Sequence, residues 1–411
     1  MSVEAPPASG AEPGAWRAAA GAPQPPRTGR LHELDLLRVI TFCGVIAVHT
    51  ISFTAPSTST GAYALLMLLH CTRDVFFSLT AFLLARTALA DPTRARRGAR
   101  RRYLLVAVPY LAWSLIYVVV DSGEAGDPLR LLGTYAADVV MGTAEYHLYF
   151  LLVTLQLYAA MPWIVRQVKR FAGRPWPILL AALAVQGGIV AVAEYLPAQI
   201  AWMHDAEQQL LPTYLFSVVL GVVAATRERA LLEWVRSRRA ALAGLFGAGA
   251  CATVAVFLAQ RQAGLSPQNA AAALQPVTVL WSALAAVALL AVGAVWADHR
   301  RPASRASRAV AWASDRSFGV YLAHPLVLAG LLAGGWFVGH TGFPSRTAVA
   351  YVLVVAGAIG LVEVLRRSPL SLPLTGRPRI GPAAAHIGTP RTGWPFGERA
   401  WSRPGKRADA P

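Results

Sequence analysis

The sequence predicts an all-α polytopic membrane bundle of about ten transmembrane helices, with both termini cytoplasmic. Three observations predict it. Of 411 residues, 55% are hydrophobic and only 14% charged, and mean hydropathy is +0.45, whereas soluble domains carry about 25% charged residues. The apolar residues gather into runs near the roughly 20 residues that a bilayer core requires. The arginines fall almost entirely in alternate loops between those runs, which is how orientation in a bilayer is set.

The first run, 35–55, carries Asp35, Arg38 and His49. At roughly 100° and 1.5 Å per residue, Arg38 and His49 lie almost three turns apart, on one stripe and about 16 Å from each other along the axis. Asp35 falls on the same side, one turn before Arg38. The second run, 63–86, places His70 and Asp74 on one face with Arg73 beside Asp74. The third, 103–121, follows a basic loop containing Arg97, Arg100, Arg101 and Arg102. A Leu-rich piece at 129–141 reads as a helix lying on the membrane.

The fourth run, 147–165, opens on Glu145-Tyr-His147 and is interrupted by Gln156 and Pro162. Runs at 176–196, 210–226, 240–260 and 276–297 follow, the second of them short. The ninth, 317–338, sets Ser317, Tyr321 and His324 on one face ahead of Pro325. The tenth, 346–366, has Glu363 just before its basic exit. Trp176, Tyr195, Trp202 and Tyr214 read as an interfacial aromatic belt. Residues 1–30 and 377–411, rich in Ala, Pro and Gly, are expected to be disordered cytosolic tails flanking a membrane domain at 31–376.

The loops test this order. Those after even-numbered runs hold Arg94–Arg102, Arg166–Arg174, Arg227–Arg239 and Arg300–Arg308, whereas those after odd-numbered runs hold only Arg130, Arg261 and Arg346. That bias puts both termini in the cytoplasm, and the expected location is the plasma membrane. Basic chains can also bind nucleic acid, but arginines confined to short loops between apolar runs argue for no nucleic-acid partner. Cys43, Cys71 and Cys251 lack metal or disulfide spacing, and no metal is expected. There is no P-loop, serine elbow or internal repeat.

Ionisable groups inside lipid are costly, so function is sought there. The candidates are Asp35, Arg38, His49, Arg73, Asp74, Glu145, His147, Tyr321 and His324. Each also has a structural reading. Arg38 can snorkel to headgroups, Asp35 can cap its helix, and Arg73 with Asp74 can be a packing ion pair. As a site, an Arg at the cytosolic mouth suits a phosphorylated ligand because its planar fork donates two hydrogen bonds. A neutral imidazole at mid-depth suits removal of a hydroxyl proton. The 97–102 loop would add a basic lip.

Five motifs in order resemble the acyltransferase family 3 membrane proteins, over roughly 31–376. They are Leu34-Asp35-x2-Arg38-x10-His49, then Asp74-Val-Phe-Phe-Ser-Leu-Thr80-Ala81-Phe82, then Arg102 through Pro109-Tyr-Leu-Ala-Trp113, then Glu145-Tyr-His147-Leu-Tyr-Phe150, and Ser317-Phe-Gly-Val-Tyr321-Leu-Ala-His324-Pro325. Thr80-Ala81 stands where the family has Ser-Gly, Tyr149 where it has Trp, and Leu105 where it has a second arginine, for which Arg97-x-x-Arg100 is a looser match. Leu370–Gly376 resembles the family's terminal segment.

The resemblance implies an O-acyltransferase using cytosolic acyl-CoA, most simply acetyl-CoA, and a carbohydrate, glycolipid or glycosylated-metabolite acceptor, as in polysaccharide modification. His49 would be general base or acyl carrier, supported by Arg38 and Asp35. Arg38, Arg97, Arg100, Arg101 and Arg102 would hold the CoA phosphates. Arg73, Asp74, Glu145, His147, Tyr321 and His324 would line the cavity. A transporter or flippase for a lipid-linked or glycosylated substrate is the alternative, though it predicts repeats the chain lacks.

Overall fold

The computed structural model describes residues 31–121, 127–196 and 206–381. Most of the two expected tails, and Trp202 of the expected belt, lie outside the described residues. Among the described residues every regular element is helical.

A helix occupies each of the ten apolar runs. They are α1 (Glu33–Thr54), the pair α2 (Thr60–Leu69) and α3 (Cys71–Ala90), α4 (Ala99–Asp121), and, after the loop helix α5 (Pro128–Met141), α6 (Tyr149–Arg170) and α7 (Trp176–Tyr195). Then come α8 (Leu215–Thr226), the short basic α9 (Glu228–Ser237), α10 (Arg239–Gln262), α11 (Pro276–His299), α12 (Arg305–Leu332) and α13 (Ser345–Leu365). Eight of the spans are long and apolar enough to cross a membrane. The other two are α8, only 12 residues long, and α12, whose first turns carry Arg305, Arg308, Asp315 and Arg316. The α12 helix starts well before the apolar run because Ser304 caps it, its hydroxyl accepting from the Ser307 N–H.

Residues Asp127 and Ser59 cap α5 and α2 in the same way. The α5 helix has no buried residue and turns Leu129, Leu132 and Val140 outward. Its other face is tied to α4 by Tyr110 Oη–Val139 O at 2.6 Å and Tyr135 Oη–Leu111 O at 3.3 Å. Residues 377–381, placed in a tail by composition, instead bind back on the bundle. Arg377 pairs with Asp315 at 3.4 Å, and the Ile380 N–H donates to the Arg366 carbonyl.

Two apolar cores divide the bundle. One joins α3, α6, α7, α8 and α11 with the first turns of α1; the other joins α1, α4, α6, α12 and α13 with the loop before α6. Phe150 and Tyr158 of α6 pack against both. Outside these cores the helices turn Leu115, Val120, Leu180, Leu245 and Val352 outward, as a surface immersed in lipid requires. α3 and α8 approach closely, so that a Cβ on Gly221 would collide with the Ser78 carbonyl.

The arginine-rich loops collect at one end. Arg86 bonds Glu228 at 2.7 Å, Arg236 bridges Glu33 at 3.2 Å and Asp298 at 3.1 Å, and Arg366 bonds Asp315 at 2.8 Å. The start of α1 therefore shares an end with the finish of α3, α11 and α13.

Candidate active site

His49 lies on α1 about 24 Å from the helix start at Glu33, by helical rise. It is partly accessible and makes no hydrogen bond among the described residues. Its ring centroid is 4.5 Å from Tyr146 and 5.3 Å from His324. His147 completes the group, 5.4 Å from His324 and 5.1 Å from Tyr321. Three histidines from α1, α12 and the loop before α6, which lie far apart in sequence, thus share one aromatic nest with Tyr117, Tyr146 and Tyr321.

The order of residues on α12 sets the His324 ring. Pro325 has no N–H, so the carbonyl four residues back, that of Tyr321, loses its helical donor. His324 Nδ1 sits 2.7 Å from that carbonyl. A carbonyl only accepts, so Nδ1 carries the proton and Nε2 presents its lone pair. That Nε2 is buried and has no hydrogen-bond partner. His324 is held as a neutral acceptor beside His49.

Tyrosines fix the wall. Tyr321 Oη donates to the His147 carbonyl at 2.6 Å, and Tyr117 Oη to the Leu322 carbonyl at 2.8 Å. Each phenol has a single proton to give. Tyr321 therefore acts as a strut binding the 145–147 loop to α12, with no proton left for a reacting oxygen. Glu145, on the same loop, is half-buried; burial, then the nearby Asp121 carboxylate, raises its carboxyl from the model-compound value of 4.5 to about 7.

Arg73 and Asp74 form a neighbouring cluster. Asp74 Oδ1 accepts from Gln186 Nε2 at 2.9 Å and Ser217 Oγ at 2.8 Å, while Gln186 Oε1 accepts from the Phe216 N–H. This buried network pins α3 to α7 and α8. Arg73 Nη2 donates to the Ala273 carbonyl at 3.0 Å and its guanidinium lies 5.2 Å over Tyr214. Tyr214, expected in the interfacial belt, is fully buried instead, between the Arg73 guanidinium and the Phe77 ring; Trp176 and Tyr195 are exposed as a belt requires. The rings Tyr214–Phe77–Phe150–Tyr321, spaced 4.3, 4.5 and 5.6 Å, connect the two clusters.

At the arginine-rich end, Arg38 and Asp35 are both buried, with Arg38 Nη1 3.6 Å from Asp35 Oδ1. Asp35 also accepts from Ser314 Oγ at 3.1 Å and lies 3.4 Å from His32 Nδ1. Arg97 and Arg100 are exposed, Arg101 and Arg102 half-buried, and Arg102 bonds the Ala95 carbonyl. Glu363 pairs with Arg316 and Arg367. The candidates thus divide into a histidine nest, a polar α3–α7–α8 lock and a basic end. Sequence reading did not single out Tyr117 or Tyr146. Tyr146 sits between Glu145 and His147 and was the only one with a signal, its neighbours.

No curated protein and no solved structure matches the chain. The acyltransferase domain model of acyltransferase family 3 matches residues 31–363, which takes in every helix from α1 through nearly all of α13 and each of the three histidines. That membership decides for an enzyme over the transporter alternative. The chain belongs to this family and is a membrane-embedded acyltransferase.

Proposed function

We propose that the protein is an O-acyltransferase of the plasma membrane, with both termini cytoplasmic, moving an acyl group, most simply acetyl, from cytosolic acyl-CoA to a hydroxyl of a carbohydrate, glycolipid or glycosylated metabolite. The observation that carries this reading is the half-buried His49, its ring free of hydrogen bonds among the described residues, seated against the fixed neutral His324 on a helix whose far end holds the buried Arg38. The separation of about 16 Å between Arg38 and His49 suits a donor with phosphates at one end and a thioester at the end of a long arm.

In this reading His49 has one N–H directed to the free His324 Nε2 and its other nitrogen toward the acceptor. That nitrogen takes the hydroxyl proton as the oxygen attacks the thioester carbonyl. The tetrahedral adduct collapses, the C–S bond breaks, and the CoA thiolate takes the proton back from His49. The products are the ester and free CoA. His324 stabilises the imidazolium as the third member of a nucleophile–base–orienter set does elsewhere. Arg38, ordered by Asp35, contributes positive charge on the donor side. Arg97, with Arg100, Arg101 and Arg102 in the first turn of α4, forms a basic approach for an anionic donor.

The test is CoA release from labelled acetyl-CoA by purified protein supplied with an acceptor. His49→Ala should lose at least about 100-fold in rate, the scale of general-base catalysis. His324→Ala should lose about 10-fold or more, with His324→Gln, whose amide oxygen can replace Nε2 as acceptor, recovering part of it. Wild-type release by His49→Ala with a productive acceptor would overturn the mechanism.

A further inference from the structure

One cavity of the bundle lies away from the histidines. It lies at the arginine-rich end, about 260 Å³, where the first turn of α1, the last turn of α11 and the first turn of α12 meet. His32, Asp35, Trp296, Arg300, Ser307 and Arg308 line it. We infer that this cavity is the binding site for the phosphorylated nucleotide end of the acyl donor, with Arg300 and Arg308 on the phosphates and Trp296 beneath the base.

Four features of the cavity support this. The Arg300 and Arg308 side chains have no carboxylate or hydrogen-bonded partner among the described residues, whereas those of Arg86, Arg236, Arg316, Arg366 and Arg377 at the same end are all paired. A pair of unmatched guanidinium forks facing one cavity is an oxyanion receptor. The positive end of the 28-residue α12 opens into the same space through Ser307 and Arg308, and anions are favoured there. Trp296 offers a flat π-face, on which bases stack irrespective of identity. The floor does not repel an anion, because the Asp35 carboxylate already faces Arg38 and Ser314.

The cavity's position supplies the length. Asp35 in its floor and His49 in the nest lie on the same helix, about 21 Å apart by helical rise. A donor anchored by its nucleotide here could extend along α1 and present its acyl group at His49. The exposed Arg97 and Arg100 would then serve approach, and the α11–α12 turn would provide the anchor. This inference rests on the acyl-CoA reading above. The same chemistry, a phosphate on paired arginines, could also come from an anionic lipid headgroup, so the test separates the two.

The experiment measures equilibrium binding of CoA and of adenosine 3′,5′-bisphosphate to the full-length protein in phosphatidylcholine nanodiscs. Arg300→Ala and Arg308→Ala should each weaken both ligands by about tenfold or more, as loss of a charge-assisted contact implies. Arg308→Lys, which keeps the charge and loses the fork, should fall between, and guards against an Ala variant that fails to fold. Trp296→Ala should weaken the bisphosphate while leaving inorganic pyrophosphate unchanged. Affinities for CoA within twofold of wild type in both Arg→Ala variants would overturn the pocket while leaving the donor reading intact. Absence of any CoA binding by wild-type protein would overturn both. Retention of phosphatidylglycerol that depends on Arg300 and Arg308, with no competition by the bisphosphate, would make it a lipid site and overturn the inference.

Discussion

At the residue scale, Pro325 and His324 act as one unit: the proline frees the Tyr321 carbonyl, and the histidine takes it. A tautomer is thereby set by backbone geometry, without a carboxylate. Glu145, at the edge of the same nest, carries the pH dependence that can be measured. Its carboxyl is raised to about 7 by burial and by Asp121. The folded state therefore holds this proton more tightly than the unfolded chain. The stability it contributes is full below the unfolded value of 4.5, falls as pH climbs from there through about 7, and is level above. Glu145→Gln, which cannot titrate, should flatten the decline in melting temperature across that window. An unchanged profile in the variant would show that another group is responsible.

At the element scale, α3 is tightly held. Its Asp74 is locked by Gln186 of α7 and Ser217 of α8, and its backbone meets Gly221 of α8. A methyl group on Gly221 must push against the Ser78 backbone carbonyl, which cannot swing away as a flexible side chain would. Overpacking of this kind costs about 1–3 kcal/mol. Gly221→Ala should lower the melting temperature of the purified protein, and Asp74→Asn should do likewise by weakening the accepted hydrogen bonds. If Gly221→Ala melts with the wild type, the two helices are not packed as closely as described. The Arg73–Tyr214 contact belongs to this same lock, so Arg73 reaches the histidines only through the intervening rings.

At the scale of the whole molecule, the ion pairs Arg86–Glu228, Arg236–Glu33 and Arg366–Asp315 gather the arginine-rich loops on one end of the bundle. Each pair has one buried partner (Glu228, Glu33 or Arg366), and together they hold the helix ends in register around the cavity between α1, α11 and α12. Leu31 and residues 366–381 lie at that end too, which ties the orientation of both ends of the described bundle to the arginine bias. Fluorescent-protein fusions after residue 381 should fluoresce and phosphatase fusions there should be inactive, with the reverse for fusions at residue 57, between α1 and α2. Active phosphatase after residue 381 would invert the topology.

The sequence by itself determined the helices and their order, because a hydrocarbon core forces every span into a long apolar helix and leaves charges in the loops. It also isolated the stripe holding Arg38 and His49, since helical period is local, and the motif order pointed to the family. Tertiary structure alone decided which of the costly residues meet. His49, His147 and His324 converge from three distant segments, whereas Asp74, equally polar in sequence, is absorbed into a packing lock. Tyr214 reads as an interfacial aromatic from its neighbours in sequence, yet it is buried under a guanidinium. Arg300 and Arg308 read as two more loop arginines, and only the meeting of three helix ends sets them, unpaired, around a cavity. Periodicity fixes the face a side chain occupies on its own helix, while the partner across that face depends on how the helices pack.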